Sequence, residues 1–315
     1  MKLPDSPENA LPDGVSVHVV GAGGAGMNAI AAVLLSMGHQ ISGSDLRESV
    51  GVNRLRSLGA RIDIGHSAAN IGDAAIICRS TAVPDSNAEI LAARDLGRPV
   101  WSRADVLAAI CEKKQTIAVS GTHGKTTTSS MLALALTSSG LDPSFIVGGD
   151  LNDIGSGAVW NENGNLFVVE ADESDGTFVR LGAEAVVVTN VEADHLDFFG
   201  SYEALVAAFE KFVGSASGPR VVCIDDPCAQ SIASTVGHCV TYGRSEDAEY
   251  RIAGVKTRRY SSTFEVWRGT EHLGGCELPI PGVHNVLNAT AALAMAAELG
   301  APVELVLAAL GRFAG

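Results

Sequence analysis

A lysine followed by a threonine at the end of a glycine turn can hold a nucleoside triphosphate and its magnesium ion. The stretch GTHGKTTT (121–128) offers that pair as Lys125 and Thr126. An ammonium there reaches β- and γ-phosphate oxygens, and the hydroxyl is an oxygen ligand for Mg²⁺. The full pattern G-x-x-x-x-G-K-[ST] would place its first glycine at 119, where the sequence has Val119 inside an apolar run; the loop carries His123 instead. Such a site also needs acids at neighbouring strand ends to hold the metal. LFVVEADESD (166–175) ends in Glu170, Asp172, Glu173 and Asp175, and VVVTNVEADHLD (186–197) in Asn190, Glu192, Asp194 and His195. One such end alone reads equally well as a solvated loop. Two of them after one phosphate loop read as a magnesium–phosphate site.

A second glycine turn lies earlier in the chain. Gly21-Ala22-Gly23-Gly24-Ala25-Gly26 reads G-x-G-x-x-G between the apolar run VSVHVV (15–20) and a helical pattern. Glycines let the backbone approach a phosphate, and a helix start adds N–H donors and the positive end of a dipole. Asp45 follows Gly26 by 19 residues, at the end of QISGSD (40–45), where an acid would bond a ribose. On these residues alone the loop takes a nucleotide or nucleotide sugar, with NAD the first candidate. The alternative is that the glycines only pack the sheet.

Both turns require strands that deliver them and helices that leave from them. VSVHVV, QISGSD, RIDIG, AAIICRS and PVWS read as strands in a first unit, with helices at GAGGAGMNAIAAVLLSMG and VNRLRSLG. The helix SRADVLAAICEKK closes that unit near residue 112. TIAVS (116–120) starts a second unit, and TTTSSMLALALTSSG is the helix after its loop. FIVGG, NLFVVEAD, AVVVTNV, RVVCIDD and HCVTYG continue as buried strands. Alternating strands and helices predict parallel sheets covered on both faces. The segment from Tyr250 to Ile280 alternates apolar and polar residues instead, as antiparallel strands with one wet face do. PGVHNVLNATAALAMAAELG and PVELVLAALGRF return to helix.

The 315 residues have 46% hydrophobic and only 18% charged side chains, enough apolar material for two cores. A net charge of −14 argues against a nucleic-acid partner, which needs a basic face. No run of 18 apolar residues predicts a membrane span. The polar, Pro-rich start lacks the apolar core of a signal peptide. Six cysteines without a C-x-x-C pair read as reduced thiols, so a cytoplasmic location is expected.

Taken in order, GTHGKTTT, EADESD, TNVEADH and GVHNVLNA resemble the Mur ligases, ATP-dependent amide-forming enzymes of peptidoglycan precursor synthesis. GAGGAGM, the histidine in the phosphate loop and EADESD are most similar to the branch that joins L-alanine to UDP-N-acetylmuramate. A muropeptide-recycling branch shares GTHGKT. The likeness runs from about residue 15 to residue 315.

The resemblance implies a Rossmann-like domain over 1–112 that holds UDP-N-acetylmuramate rather than NAD, and a P-loop ATP-binding domain over 113–315. It places Gly21, Ala22, Gly23, Gly24, Ala25 and Gly26 at the diphosphate and Ser44 and Asp45 at the nucleoside. His66, Ser80, Thr81 and Ala82 fall at further substrate-side positions, although a histidine such as His66 also serves simply to cap a turn. Gly121, Thr122, Gly124, Lys125, Thr126 and Thr127 would cradle ATP, with His284, Asn285 and Asn288 on its adenine side. Thr126, Glu170 and His195 would be the magnesium ligands, and Lys125, His123, His195 and Asn190 the catalytic group. The lysine that many members carry carbamylated falls near Glu210 and Lys211, and no modification is assigned there. The family's third domain, which takes L-alanine, is expected to be absent from a chain that reads LGRFAG at its end. A non-catalytic sugar-nucleotide module is the alternative from outside enzymology, and the intact Lys125, Glu170 and His195 count against it.

Overall fold

The computed structural model describes residues 11–151, 156–174 and 176–314. The polar start, Asp175 and Gly315 lie outside the described residues. The chain divides into two compact units, one running to Lys113 with Ala158–Glu162, the other made of Lys114–Gly157 and Asn163 onward.

The first unit alternates strand and helix: β1 (Ser16–Val20), α1 (Ala25–Ser36), β2 (Gln40–Asp45), α2 (Val50–Ser57), β3 (Arg61–Ile64), β4 (Ile76–Arg79), α3 (Ala88–Asp95), β5 (Val100–Ser102) and α4 (Arg103–Cys111). Its sheet has the order β3-β2-β1-β4-β5, with every neighbouring pair parallel. The order reverses between β1 and β4, and a crevice opens outside the strand ends at such a reversal. Val17, Val19 and Val20 of β1 are fully buried, as a central strand covered on both faces requires. Val20 also joins Ile71, Ile77, Val83 and Ile90 in one apolar cluster. Each such side chain contributes about 1.5–3 kcal/mol on burial.

The second unit contains β6 (Gln115–Ser120), α5 (Lys125–Ser138), β7 (Ser144–Leu151), the first half of β8 (Ser156–Val159), β9 (Leu166–Glu170) and β10 (Ala185–Val188). It continues with α6 (Leu196–Phe199), α7 (Tyr202–Ser215), β11 (Arg220–Cys223), α8 (Pro227–Val236) and β12 (Val240–Gly243). β13 (Tyr250–Thr257), β14 (Ser262–Arg268), β15 (Glu271–Leu278), α9 (Val283–Glu298) and α10 (Val303–Leu310) complete it. The sheet order is β15-β14-β13-β12-β11-β10-β6-β9-β7-β8. β13, β14 and β15 pair antiparallel, as their alternating sequence predicts, whereas β6 runs parallel to both β9 and β10. Helix α5 is buried from Thr128 to Leu136 and packs against α9 and α10. Among the described residues, no helix is long and apolar enough to cross a membrane.

Candidate active site

Because β6 lies between β9 and β10, the turn leaving β6 meets the ends of both neighbours. Gly121 and Gly124 hold φ of 135° and 85°, values that favour glycine. A side chain at Gly121 would run into the Thr189 hydroxyl just past β10. Helix α5 starts at Gly124 without a side-chain cap, which leaves first-turn N–H groups for an anion. Lys125 folds over this turn. Its Nζ donates to the Gly121 carbonyl at 2.8 Å and lies 2.8 and 3.0 Å from the two oxygens of Glu173. Glu173 is only 2% exposed, so this is a buried ion pair.

The loop is braced from β10. Thr189 Oγ1 and Asn190 Nδ2 both donate to the His123 carbonyl, while Asn190 Oδ1 accepts from its N–H. Thr122 Oγ1 accepts from the Glu192 N–H at 2.9 Å. The His123 ring stays exposed, 3.8 Å from a Glu192 oxygen.

On the other side, Glu170 ends β9. A methyl group placed on Gly148 of β7 would stand 2.5 Å from Glu170 Oε2 and 2.9 Å from Thr126 Oγ1, so the two oxygens meet at that glycine. Oxygen donors of this kind suit a hard cation. His195 stands just before α6. Its backbone is left-handed, with φ 53°, and its ring lies 3.8 Å from its neighbour Asp194. Among the described residues, no three His, Cys, Asp or Glu side chains cluster closely enough to hold a metal.

Helix α9 brings its first turns to the same loop. Asn288 is buried, and its Oδ1 would lie 2.5 Å from a Cβ on Gly124. His284 folds against Gly282 at the helix start, and Asn285 Nδ2 donates to the Pro281 carbonyl at 2.7 Å.

In the first unit, a cavity of 390 Å³ sits at the strand ends and includes Gly21, Asp45, His66, Ser80 and Ala82 in its wall. Thr81, between the last two, is exposed. Asp45 does not simply project into it: Oδ2 accepts from Gly23 N–H at 2.8 Å and Oδ1 from Arg47 N–H at 3.2 Å. Asn28 Nδ2 donates to the Ala22 and Gly51 carbonyls and steadies the loop from below. Helix α1 starts at Gly24 without a side-chain cap, whereas Ser49, Asn87 and Ser102 cap α2, α3 and α4. A side chain at Gly26 would collide with the Arg103 guanidinium.

Models of known families match both units: "Mur ligase family, catalytic domain" over residues 16–115 and "Mur ligase middle domain" over 119–296. The chain belongs to the Mur ligase family. UDP-N-acetylmuramate–L-alanine ligase of Syntrophotalea carbinolica is 45% identical to it over 304 residues, 95% of this chain and 66% of that protein. The crystal structure of the UDP-N-acetylmuramate–alanine ligase of Thermotoga maritima superposes with a TM-score of 0.85 at 33% identity, covering 95% of this chain and 69% of that one. That of the UDP-N-acetylmuramate:L-alanyl-γ-D-glutamyl-meso-diaminopimelate ligase of Neisseria meningitides reaches 0.85 at 26%, covering 96% and 98%. The chain spans about two thirds of the length of the curated relatives it matches.

For this Mur ligase, the fold brings Lys125, Thr126, Glu170 and Asn288 around one turn. Three side chains gain importance that sequence reading did not give them. Glu173 was one acid among several, and it is the partner of Lys125. Arg103, beside Gly26, and Glu89, which accepts from the Ser44 hydroxyl and lies at the His66 ring, are far along the chain from those partners, and no motif flags them.

Proposed function

We propose that this chain carries the sugar-nucleotide and ATP sites of a ligase that joins L-alanine to UDP-N-acetylmuramate. The observation that carries the reading is the pair of uncapped glycine turns, each at the start of a helix, with Lys125 over one and Arg103 beside the other. Two phosphorylated ligands need two such anion sites.

At the second turn, Lys125 exchanges Glu173 for the β- and γ-phosphates of ATP. Thr126 and Glu170 are the residues to hold Mg²⁺, which would screen phosphate charge when bound. His284, Asn285 and Asn288 lie on the adenine side. His123 stands exposed beside the loop, free to orient the sugar's carboxylate, and His195 would join it at that group. A carboxylate is a poor electrophile, and transfer of the γ-phosphoryl group to it creates an acyl phosphate. The amine of L-alanine then forms the C–N bond as the C–O bond to phosphate breaks and the amine loses a proton. The loop's N–H groups and Lys125 stabilise the charge of the first step. At the first turn, the backbone of Gly21–Gly26 and the Arg103 guanidinium take the diphosphate, and the cavity at Asp45, His66 and Ser80 takes the nucleoside. The six free thiols fit a reducing cytoplasm.

Calorimetric titration of the chain with UDP-N-acetylmuramate, and separately with a non-hydrolysable ATP analogue and Mg²⁺, tests the assignment. One site for each, independently saturable, is expected. Absence of heat with the sugar nucleotide overturns it. Ligation assays with L-alanine and with the tripeptide as acceptor decide between the two kinds of relative.

A further inference from the structure

Glu89 is fully buried in the first turn of α3, behind the nucleoside cavity. A buried carboxylate is costly unless every lone pair is used. Its Oε1 accepts from Asn70 Nδ2 at 2.6 Å and from the Ser67 N–H at 3.3 Å. Its Oε2 accepts the Ser44 hydroxyl at 2.6 Å and lies 3.2 Å from His66 Nδ1. The buried His18 ring adds Nε2 at 3.7 Å, with its Nδ1 at the Ser42 hydroxyl. Burial alone would push the carboxyl up; the His18 ring, the Ser44 hydroxyl and the Asn70 amide outweigh it and hold the group at about 2. Glu89 is therefore a carboxylate and can only accept.

That fact decides the proton on His66. Nδ1 of this ring has two neighbours, Glu89 Oε2 and Ser44 Oγ, the latter at 3.0 Å. The carboxylate has no proton to give. Ser44 has one hydroxyl hydrogen, and its 2.6 Å bond to Glu89 uses it. Both neighbours can only accept, so Nδ1 must be the donor. In the neutral ring the lone pair is then on Nε2, and the ring forms part of the cavity wall beside Asp45 and Ser80.

We propose that Glu89 is a positioning residue that fixes the His66 tautomer, so that Nε2 receives an N–H or O–H donor of the nucleoside. The inference rests on the cavity being the sugar-nucleotide site. A purely architectural Glu89, tying the turn at Ser67–Asn70 to the sheet, would leave the His66 proton unconstrained and the ligand indifferent to it.

Long-range ¹H–¹⁵N correlation spectra of the unliganded chain above the pH of imidazole titration read the tautomer directly. An Nδ1–H ring at His66 is expected; an Nε2–H ring overturns the proposal, whatever the chain binds. Titration with UDP-N-acetylmuramate provides the second arm. Glu89→Gln, whose amide can donate to Nδ1 and flip the tautomer, should weaken binding about tenfold, the worth of one hydrogen bond. In a His66→Ala background the same change should add nothing. Equal weakening in both backgrounds means a structural role and overturns the proposal. If Glu89→Gln fails to fold, the wild-type spectrum still decides. N3-methylated and 2′-deoxy UDP separate an imide N–H from a ribose hydroxyl as the donor. If the wild-type chain binds no sugar nucleotide, the functional assignment fails while the tautomer remains measurable.

Discussion

Asn190 grips the backbone of His123 from both sides: its Oδ1 accepts the His123 N–H at 2.9 Å, and its Nδ2 donates to the His123 carbonyl at 2.9 Å. A side-chain amide here does what a neighbouring strand would do for the loop. Both ends of that amide are hydrogen-bonded to the loop, so Asn190 helps to shape it.

Asn190→Asp keeps the acceptor but sets a carboxylate oxygen against the His123 carbonyl. We expect ATP-analogue binding to weaken about tenfold, the loss of roughly one hydrogen bond plus repulsion. UDP-N-acetylmuramate binding should not change. Calorimetry with both ligands checks this, and equal losses for both would count against the brace.

Gly124→Ala combines two penalties. Its φ of 85° strains any L side chain, and the new Cβ would lie 2.5 Å from Asn288 Oδ1. A loss of about 2–4 kcal/mol is expected. In an Asn288→Ala background the clash disappears and only about 1–2 kcal/mol of backbone strain remains. Urea denaturation of the four proteins measures the coupling.

Removing either member of the Lys125–Glu173 pair leaves a buried charge alone. Lys125→Met and Glu173→Gln should each cost about 3 kcal/mol, and the double variant clearly less than their sum. Additive losses in denaturant midpoints would contradict a coupled pair.

Arg103→Ala removes the cation beside Gly26. Affinity for UDP-N-acetylmuramate should fall about tenfold or more, consistent with a charge-assisted hydrogen bond. Binding should also become less sensitive to salt, while ATP-analogue binding stays as it was. Titrations at two ionic strengths test both statements.

Glu89 makes the fold acid-sensitive. Its carboxyl titrates near 4.5 when unfolded and at about 2 in the fold. The folded value is depressed, so its stabilisation is fully present above about 4.5 and is lost as pH falls toward 2. The shift corresponds to about 3 kcal/mol. Wild type should lose that much more stability than Glu89→Gln between those pH values, read from urea unfolding at stepped pH. Parallel curves would exclude Glu89 as the source.

The alternation of strands and helices was legible because Gly21, Gly26, Gly121 and Gly124 punctuate apolar runs of strand length. The antiparallel turn to β13–β15 was legible from its period of two. Helices α3, α7 and α8 lie outside the patterns read from the sequence, although α7 carries buried Leu205, Phe209, Phe212 and Val213 at helical spacing and a Ser201 cap. Motifs located Lys125, Thr126 and Glu170 because strand ends are local in sequence. They could not choose Glu173 over Asp172 as the partner of Lys125, since burial decides that. Nor could they join Arg103 to Gly26 or Glu89 to His66, because those meetings depend on where α4 and α3 return to the sheet. Asp45 was placed at the right strand end, but its bonds to Gly23 and Arg47 belong to loop geometry that spacing does not encode.

The Gly148 N–H donates to Glu170 Oε2 at 2.8 Å. The carboxylate is thereby tethered to β7 through the same oxygen that meets Thr126 at Gly148, and that oxygen keeps a second lone pair. A lone main-chain amide thus sets the direction of the carboxylate in advance, by the strand and not by a neighbouring charge.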